Sequence, residues 1–198
     1  NLKTLNVAGI ASSYEYDDKG RRIKETDGAG AVTTYTFDAN GNELTRTLTR
    51  TVNGVPRTET TTSVHDADSR LIQQTDATGA VTRTTYNSAG KPITQTDALG
   101  RVTTYSYDAN ARPTRTEHPD GTAESTEYDA NGNEVARTDR QGRTTRMVYD
   151  ELDRLTQTTY RDGTSARTEY DAAGRVTSSI DATGARSTNE YDAAGRMT

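Results

Sequence analysis

The chain has 198 residues, a formal net charge of −5 and no cysteine. Ile, Leu, Val and Phe together number 24, about 12% of the chain, which excludes a large aliphatic core and is usual for disordered sequences. The composition also excludes a disulfide scaffold and thiolate metal sites, and it offers no basic cluster for nucleic acid, no apolar run long enough to span a membrane and no signal peptide.

An aromatic-Asp pair, in places degraded, recurs along the chain and divides it into repeats. Residues 1–13 are out of phase with the rest and are predicted to be the end of a preceding repeat. Residues 14–198 contain nine repeats, of which the last is truncated, and seven of the eight intervals between them are 21 residues. The pairs are Tyr16-Asp17, Phe37-Asp38, His65-Asp66, Tyr86-Asn87, Tyr107-Asp108, Tyr128-Asp129, Tyr149-Asp150, Tyr170-Asp171 and Tyr191-Asp192.

Each repeat carries two turn signals of the form Asp-x-x-Gly, about ten residues apart. Asp can accept backbone N–H groups at the start of such a turn, and Gly supplies the positive φ at its end. The segments between turns are rich in Thr, Val, Tyr and Ser, which favour strands. Each repeat is therefore predicted to be a β-hairpin. The second-turn glycines are Gly30, Gly79, Gly100, Gly121, Gly142, Gly163 and Gly184.

The strands that lead to each aromatic alternate with a period of two. Tyr107, Tyr105 and Thr103 fall on one face of their strand. In the next repeat Glu127 and Ser125 fall on the opposite face from Tyr128. One face is thus predicted to be rich in aromatic residues and threonine, and the other to be charged.

One hairpin is predicted to be longer than the others, with an insertion at about residues 45–60. Seven additional residues separate Phe37 from His65, and Asn53-Gly54 between them is a tight-turn signal. We expect arms that project beyond the sheet, with Pro56 in an unpaired edge.

A repeat of this kind needs little core, since each hairpin contacts only its neighbours and cross-strand pairs contribute about 0.2–1 kcal/mol each. The predicted fold is all-β, with tandem 21-residue hairpins forming a long curved antiparallel sheet. We interpret the periodic aromatic, Asp and Gly positions as structural, because a catalytic residue is needed once whereas a structural residue recurs. The basic residue that follows most first turns is expected to pair with the turn Asp or to lie over a Tyr ring.

Few residues offer chemistry outside this pattern. His65 and His118 occupy repeat positions, and the chain has no cysteine with which they could form a zinc site. The segment 38–43, DANGNE, resembles the start of a calcium-binding loop, but its Gly and the missing later Glu do not fit that motif. No phosphate-binding loop or Ser-His-Asp arrangement is apparent. We predict no catalytic residue, no metal and no cofactor.

The repeated YDxxGRxT motif resembles the YD repeat of bacterial Rhs proteins, of the C components of insecticidal toxin complexes and of animal teneurins. The most regular copy, at 170–190, reads YDAAGRVTSSIDATGARSTNE. In that family the repeats form a ribbon that spirals into a hollow shell. The shell encloses a C-terminal toxic polypeptide in Rhs and toxin-complex members, and it belongs to an adhesion molecule in teneurins. The family's DPxGL-like self-cleavage segment is not found here, because the chain contains no Asp-Pro dipeptide.

The resemblance implies a secreted or cell-surface bacterial protein that is non-catalytic, a wall segment of a polymorphic-toxin shell. Its implied partners are the rest of the shell and an enclosed toxin domain. Nine hairpins supply about 18 strands, whereas a compact cargo of about 100 residues needs about 29 around it, so the chain is expected to be part of a wall. Two alternatives are open: a cell-surface adhesion or carbohydrate-binding module, and edge-to-edge self-association of copies.

Overall fold

A computed structural model of the chain describes residues 2–7 and 10–198. The described residues form eighteen β-strands and no helix, so none of them belongs to a helix that could cross a membrane. The chain divides into two compact units, Asn1–Val102 and Thr103–Thr198. This architecture confirms the predicted all-β repeat of antiparallel hairpins.

In the first unit every strand pairs antiparallel with the strand that follows it. The sequence of strand, Asp-x-x-Gly turn and strand repeats because the turn signals recur about every ten residues. The strands are β1 Leu2–Val7, β2 Ile10–Tyr16, β3 Arg22–Thr26, β4 Val32–Phe37, β5 Glu43–Val52, β6 Val55–His65, β7 Leu71–Thr75, β8 Val81–Tyr86 and β9 Pro92–Thr96.

The second unit, which begins within β10, continues the same order of paired strands. Tyr191, after the last strand, forms an isolated bridge with Met197. The strands are β10 Val102–Tyr107, β11 Pro113–Glu117, β12 Ala123–Tyr128, β13 Glu134–Thr138, β14 Thr144–Tyr149, β15 Leu155–Thr159, β16 Ser165–Tyr170, β17 Val176–Ile180 and β18 Arg186–Thr188.

The Asp-x-x-Gly turns share one backbone geometry, which the first of them illustrates. The N–H of Gly20 donates to the carbonyl of Asp17 at 3.0 Å, and the N–H of Asp17 donates to the carbonyl of Arg21 at 2.9 Å. Gly20 has a φ of 78°, as a three-residue hairpin loop with a type I turn and a bulge requires. The register shifts between Glu15 and Tyr16, so the bulge lies at the periodic aromatic.

Several strands have the two faces that the sequence predicts. In β10 the side chains of Thr103, Tyr105 and Tyr107 are half-buried, and the intervening residues are exposed. Only Ala136 and Ser178 are buried among the residues for which burial is described, and each is 3% exposed. The sheet therefore gains its order from cross-strand contacts rather than from a deep core.

The long hairpin of β5 and β6 turns at Asn53-Gly54, with φ values of 53° and 78°. Its arms stay paired to the tip, where Val52 lies opposite Val55. Pairing of β5 with β4 ends at Thr49 and pairing of β6 with β7 ends at Thr62. The arms between those points project beyond the neighbouring strands, as predicted. The prediction that Pro56 is unpaired was wrong, because Pro56 lies opposite Thr51 in the hairpin and only its other side lacks a neighbouring strand among those described.

Candidate functional site

The periodic aromatic residues from Tyr16 to Tyr170 end every second strand, and Tyr191 follows β18. The Asp or Asn after each aromatic residue opens a first turn. Consecutive first turns, which are 21 residues apart in all but one case, are separated by two strands. The structure therefore brings each aromatic-Asp pair beside the first turn of the preceding repeat within a unit.

The turn aspartate fixes the arginine that follows it. Oδ1 of Asp108 accepts the backbone N–H groups of Asn110 and Arg112 at 2.9 Å each, and Oδ2 accepts Nε of Arg112 at 2.6 Å. The backbone N–H of Arg112, more than its side chain, lowers the pKa of Asp108. The charged carboxylate thus orients the guanidinium. The same Asp–Arg pair forms at Asp17, Asp66, Asp150, Asp171 and Asp192.

The guanidinium then reaches the next repeat. Cζ of Arg112 lies 4.4 Å from the centroid of the Tyr128 ring, and Nη1 donates to the carbonyl of Asp129 at 3.5 Å. The arginine side chain is 26% exposed, so this contact is partly shielded from water. We call this set, an arginine with the aromatic ring and turn carbonyl of the following repeat, the arginine clamp. It recurs at Arg21–Phe37, Arg70–Tyr86 and Arg154–Tyr170, and Arg175 makes the ring contact with Tyr191.

A tyrosine hydroxyl closes several of the clamps from the other side. The Tyr170 hydroxyl donates to the carbonyl of Leu155 at 3.0 Å, and Leu155 directly follows the clamp arginine. Equivalent bonds join Tyr86 to Leu71 at 2.9 Å and Tyr191 to Val176 at 2.8 Å. In these repeats the aromatic ring is held both by the guanidinium above it and by its own hydroxyl.

The first-turn glycine of the next repeat lies against the clamp. A Cβ on Gly132 would come within 3.2 Å of Nη1 of Arg112, and one on Gly195 within 3.2 Å of Nη1 of Arg175. The predicted second-turn glycines differ, because a Cβ on Gly163 or Gly184 would meet nothing within 4 Å. The second turns require glycine only for its positive φ. These first turns also require it because a side chain at this position would crowd the clamp arginine.

Two repeats replace the clamp with an asparagine contact. Nδ2 of Asn42 donates to Oγ of Ser69 at 3.0 Å, and Nδ2 of Asn133 donates to Oδ1 of Asp153 at 2.6 Å. Ser69 and Asp153 have φ values of 63° and 58° and stand where clamped repeats have glycine. The residue that follows one first turn thus contacts the fourth residue of the next first turn. Where the first of these residues is Arg the second is Gly, and where the first is Asn the second is Ser or Asp. Reading each repeat singly missed this coupling; comparing successive repeats finds it.

The histidines and acidic residues show no grouping suited to a metal. Nε2 of His118 lies 2.9 Å from Oε1 of Glu124. Nδ1 of His65 is buried in the aromatic position without a hydrogen-bond partner. Within residues 2–7 and 10–198, no group of three or more His, Asp or Glu side chains could hold a metal ion.

Comparison with known proteins agrees with this geometry. The family model described as RHS Repeat matches residues 16–52, 65–95, 86–123, 128–165 and 170–198, more than half of the chain. No curated protein matches. The crystal structures of TcdB2-TccC3-Cdc42 and of TcdB2-TccC3 without hypervariable C-terminal region are similar, each with 13% identity, a TM-score of 0.51 and 95% of this chain covered. This likeness shows the fold alone, and the chain spans 15% of the length of those chains.

Proposed function

The chain belongs to the RHS-repeat family, and we propose that it is a non-catalytic wall segment of an Rhs-type shell that sequesters a C-terminal toxic polypeptide and helps to deliver it. The arginine clamp carries this proposal. Within each unit it joins successive hairpins with the side chains of the repeat motif, and an asparagine contact takes its place at Asn42 and Asn133, as an extended wall requires. The Asp, Arg and aromatic side chains of the clamped repeats are engaged in this way, which supports a structural role for them.

The proposed partners are the remaining repeats of the shell and the enclosed toxic polypeptide, within a larger protein that is exported or displayed on the bacterial surface. Two features support sequestration by a steric barrier. The strands are paired continuously within each unit, and only Ala136 and Ser178 are buried among the residues whose burial is described. A thin, closely hydrogen-bonded sheet can exclude a protease from its far side without needing a thick core.

Limited proteolysis of the full gene product that contains this chain tests the proposal. We expect the C-terminal polypeptide to resist cleavage in the intact protein and to be cleaved rapidly when it is expressed alone. Substituting Arg112→Gln and Arg154→Gln together should accelerate its cleavage, because two clamps are lost. Arg167→Gln, on the exposed charged face, is the matched control and should leave the rate unchanged. Equal rates of cleavage of the C-terminal polypeptide in the intact protein and in isolation would contradict the proposal.

A surface adhesion or glycan-binding module is the second candidate, and one observation favours it. The side chain of Tyr160 is 40% exposed in a chain whose periodic tyrosines are half-buried, and exposed aromatic rings are suited to packing against sugars. Titration with a broad panel of glycans distinguishes the two functions. Saturable binding that Tyr160→Ala abolishes would support adhesion, and the lack of any saturable signal would remove it.

A further inference from the structure

The second turn at Tyr160 departs from the repeat pattern. Tyr160 stands where the other periodic second turns begin with Asp or His, and it is 40% exposed. Structural residues recur with the repeat, so an exposed aromatic side chain that occurs once in this position indicates a local role. The corresponding residues elsewhere are Asp27, Asp76, Asp97, His118, Asp139 and Asp181.

Tyr160 borders an open groove of about 590 Å³ within the unit Thr103–Thr198. The groove is also lined by the side chains of Arg137, Arg143, Arg161 and Thr145. Arg137 on β13 lies opposite Thr145 on β14, which places both on the aromatic face of the sheet. Three guanidinium groups, one from a strand and two from second turns, therefore surround one space.

The two carboxylates of the groove are occupied by their own turns. Oδ1 of Asp139 accepts the backbone N–H groups of Gln141 and Arg143, and Oδ2 accepts Nε of Arg143 at 2.6 Å. Oδ1 of Asp162 accepts the backbone N–H of Thr164 at 2.9 Å and its hydroxyl at 2.7 Å. Neither carboxylate pairs with the other two arginines of the groove.

The guanidinium groups of Arg137 and Arg161 have no hydrogen-bond or ion-pair partner among the described residues. A neighbouring turn shows what would neutralise such a residue, since Nη2 of Arg140 donates to Oδ2 of Asp120 at 2.7 Å. Asp120 lies twenty residues before Arg140, and the residue twenty before Arg161 is Gln141, which has no carboxylate. The groove thus contains the unpaired guanidinium groups of Arg137 and Arg161. It also contains the guanidinium of Arg143, which pairs with Asp139 of its own turn.

We propose that this groove binds a small ligand that carries an oxyanion group, a phosphate, sulfate or carboxylate. Guanidinium groups present forked donors that match the oxygens of such a group. The Thr145 hydroxyl offers a further donor, and the Tyr160 ring offers a surface for an apolar part of the ligand. The chain as a whole carries a net charge of −5, which favours a small ligand over an extended polyanion. A wall segment needs no ligand site, so this activity goes beyond the proposed function.

Titration of the ¹⁵N-labelled chain with inorganic phosphate, sulfate and acetate in separate arms tests the site, with sodium chloride keeping the ionic strength constant. We expect saturable shifts of the Arg137 and Arg161 Nε–Hε signals, with a Kd of about 1–10 mM for the preferred anion, as a few exposed charged contacts provide. The arm with the lowest Kd identifies the oxyanion class. Shifts that grow linearly in every arm, as non-specific screening by chloride would produce, would overturn the proposal.

Three variants locate the site. Arg161→Gln should weaken binding about tenfold, the change expected for one lost charged contact. Tyr160→Asp restores the residue type common at this turn, so the hairpin should keep its melting temperature while the added carboxylate abolishes binding. Arg167→Gln removes an exposed arginine from the opposite face of the same unit and should leave the Kd unchanged. Equal weakening by Arg161→Gln and Arg167→Gln would show a general charge effect and contradict the site.

Discussion

Substituting Gly132→Ser places a side chain against the clamp formed by Arg112. A Cβ at this position would lie 3.2 Å from Nη1 of the arginine, so the guanidinium must shift by a few tenths of an ångström from its place over the Tyr128 ring. The backbone φ of 103° adds strain for any residue with a Cβ. We expect a destabilisation of about 2 kcal/mol, from about 1–2 kcal/mol of backbone strain and the weakening of a cation–π contact that contributes about 0.5–1 kcal/mol.

A second substitution, Arg112→Asn, should relieve part of that loss. Alone it removes the cation–π contact and the bond to the Asp129 carbonyl, which lowers the free energy of unfolding by about 1–2 kcal/mol. Combined with Gly132→Ser it should recreate the contact in which Asn42 donates to Ser69 at 3.0 Å. The double variant should then be more stable, by about 1 kcal/mol, than the sum of the two single variants predicts.

Urea unfolding followed by circular dichroism measures the four free energies of this cycle. The control cycle combines Arg112→Asn with Gly163→Ser. Gly163 has a φ of 83°, and a Cβ at this position would meet no atom within 4 Å, so the substitution introduces the backbone strain without the crowding. The control pair should be additive within about 0.3–0.5 kcal/mol. A coupling between Arg112 and Gly132 no larger than that of the control would refute the steric reasoning.

Two further perturbations follow from single contacts. Tyr170→Phe should lower the free energy of unfolding by about 0.5–1.5 kcal/mol, because it removes the hydrogen bond to the Leu155 carbonyl. Tyr128→Phe should lower it less, because the Tyr128 hydroxyl has no such bond among the described residues. Equal losses for the two variants in thermal melts would contradict this prediction. The pKa of Asp120 is lowered from 3.8 to about 2, and the largest cause is the hydrogen bond from the Thr122 hydroxyl. Since the folded-state pKa is depressed, its stabilisation is present above pH 3.8 and is lost as the pH falls toward about 2. The melting temperature should therefore decline as the pH falls through that window, and it should decline less in the Asp120→Asn variant than in the unaltered chain. A melting temperature that does not change with pH in this window would contradict the prediction.

The hairpins could be predicted from the sequence because the turn chemistry recurs with the period. Asp and Gly at fixed offsets set where each strand ends, and the alternation before Tyr107 set which face is half-buried. Asn53-Gly54 marked the turn of the long hairpin at the position observed. In each case the signal lies within one repeat and depends on local backbone preference.

The contacts between repeats could not be predicted in the same way. The positive φ of a turn already accounts for Gly132, so the space that Arg112 requires was not apparent from a single repeat. Ser69 and Asp153 interrupt the glycine position of the first turns, and their role depends on contacts with Asn42 and Asn133 of the preceding repeats. The groove at Tyr160 depends on which arginines lack an acidic neighbour, and strand register decides that.

Cryo-electron microscopy of the full gene product that contains this chain tests most directly whether these hairpins form the wall of a shell. We expect a hollow structure in which residues 14–198 form successive strands of the wall, with density for a second polypeptide inside it. A reconstruction in which the repeats enclose no polypeptide, or in which the C-terminal polypeptide lies outside them, would contradict the proposed function.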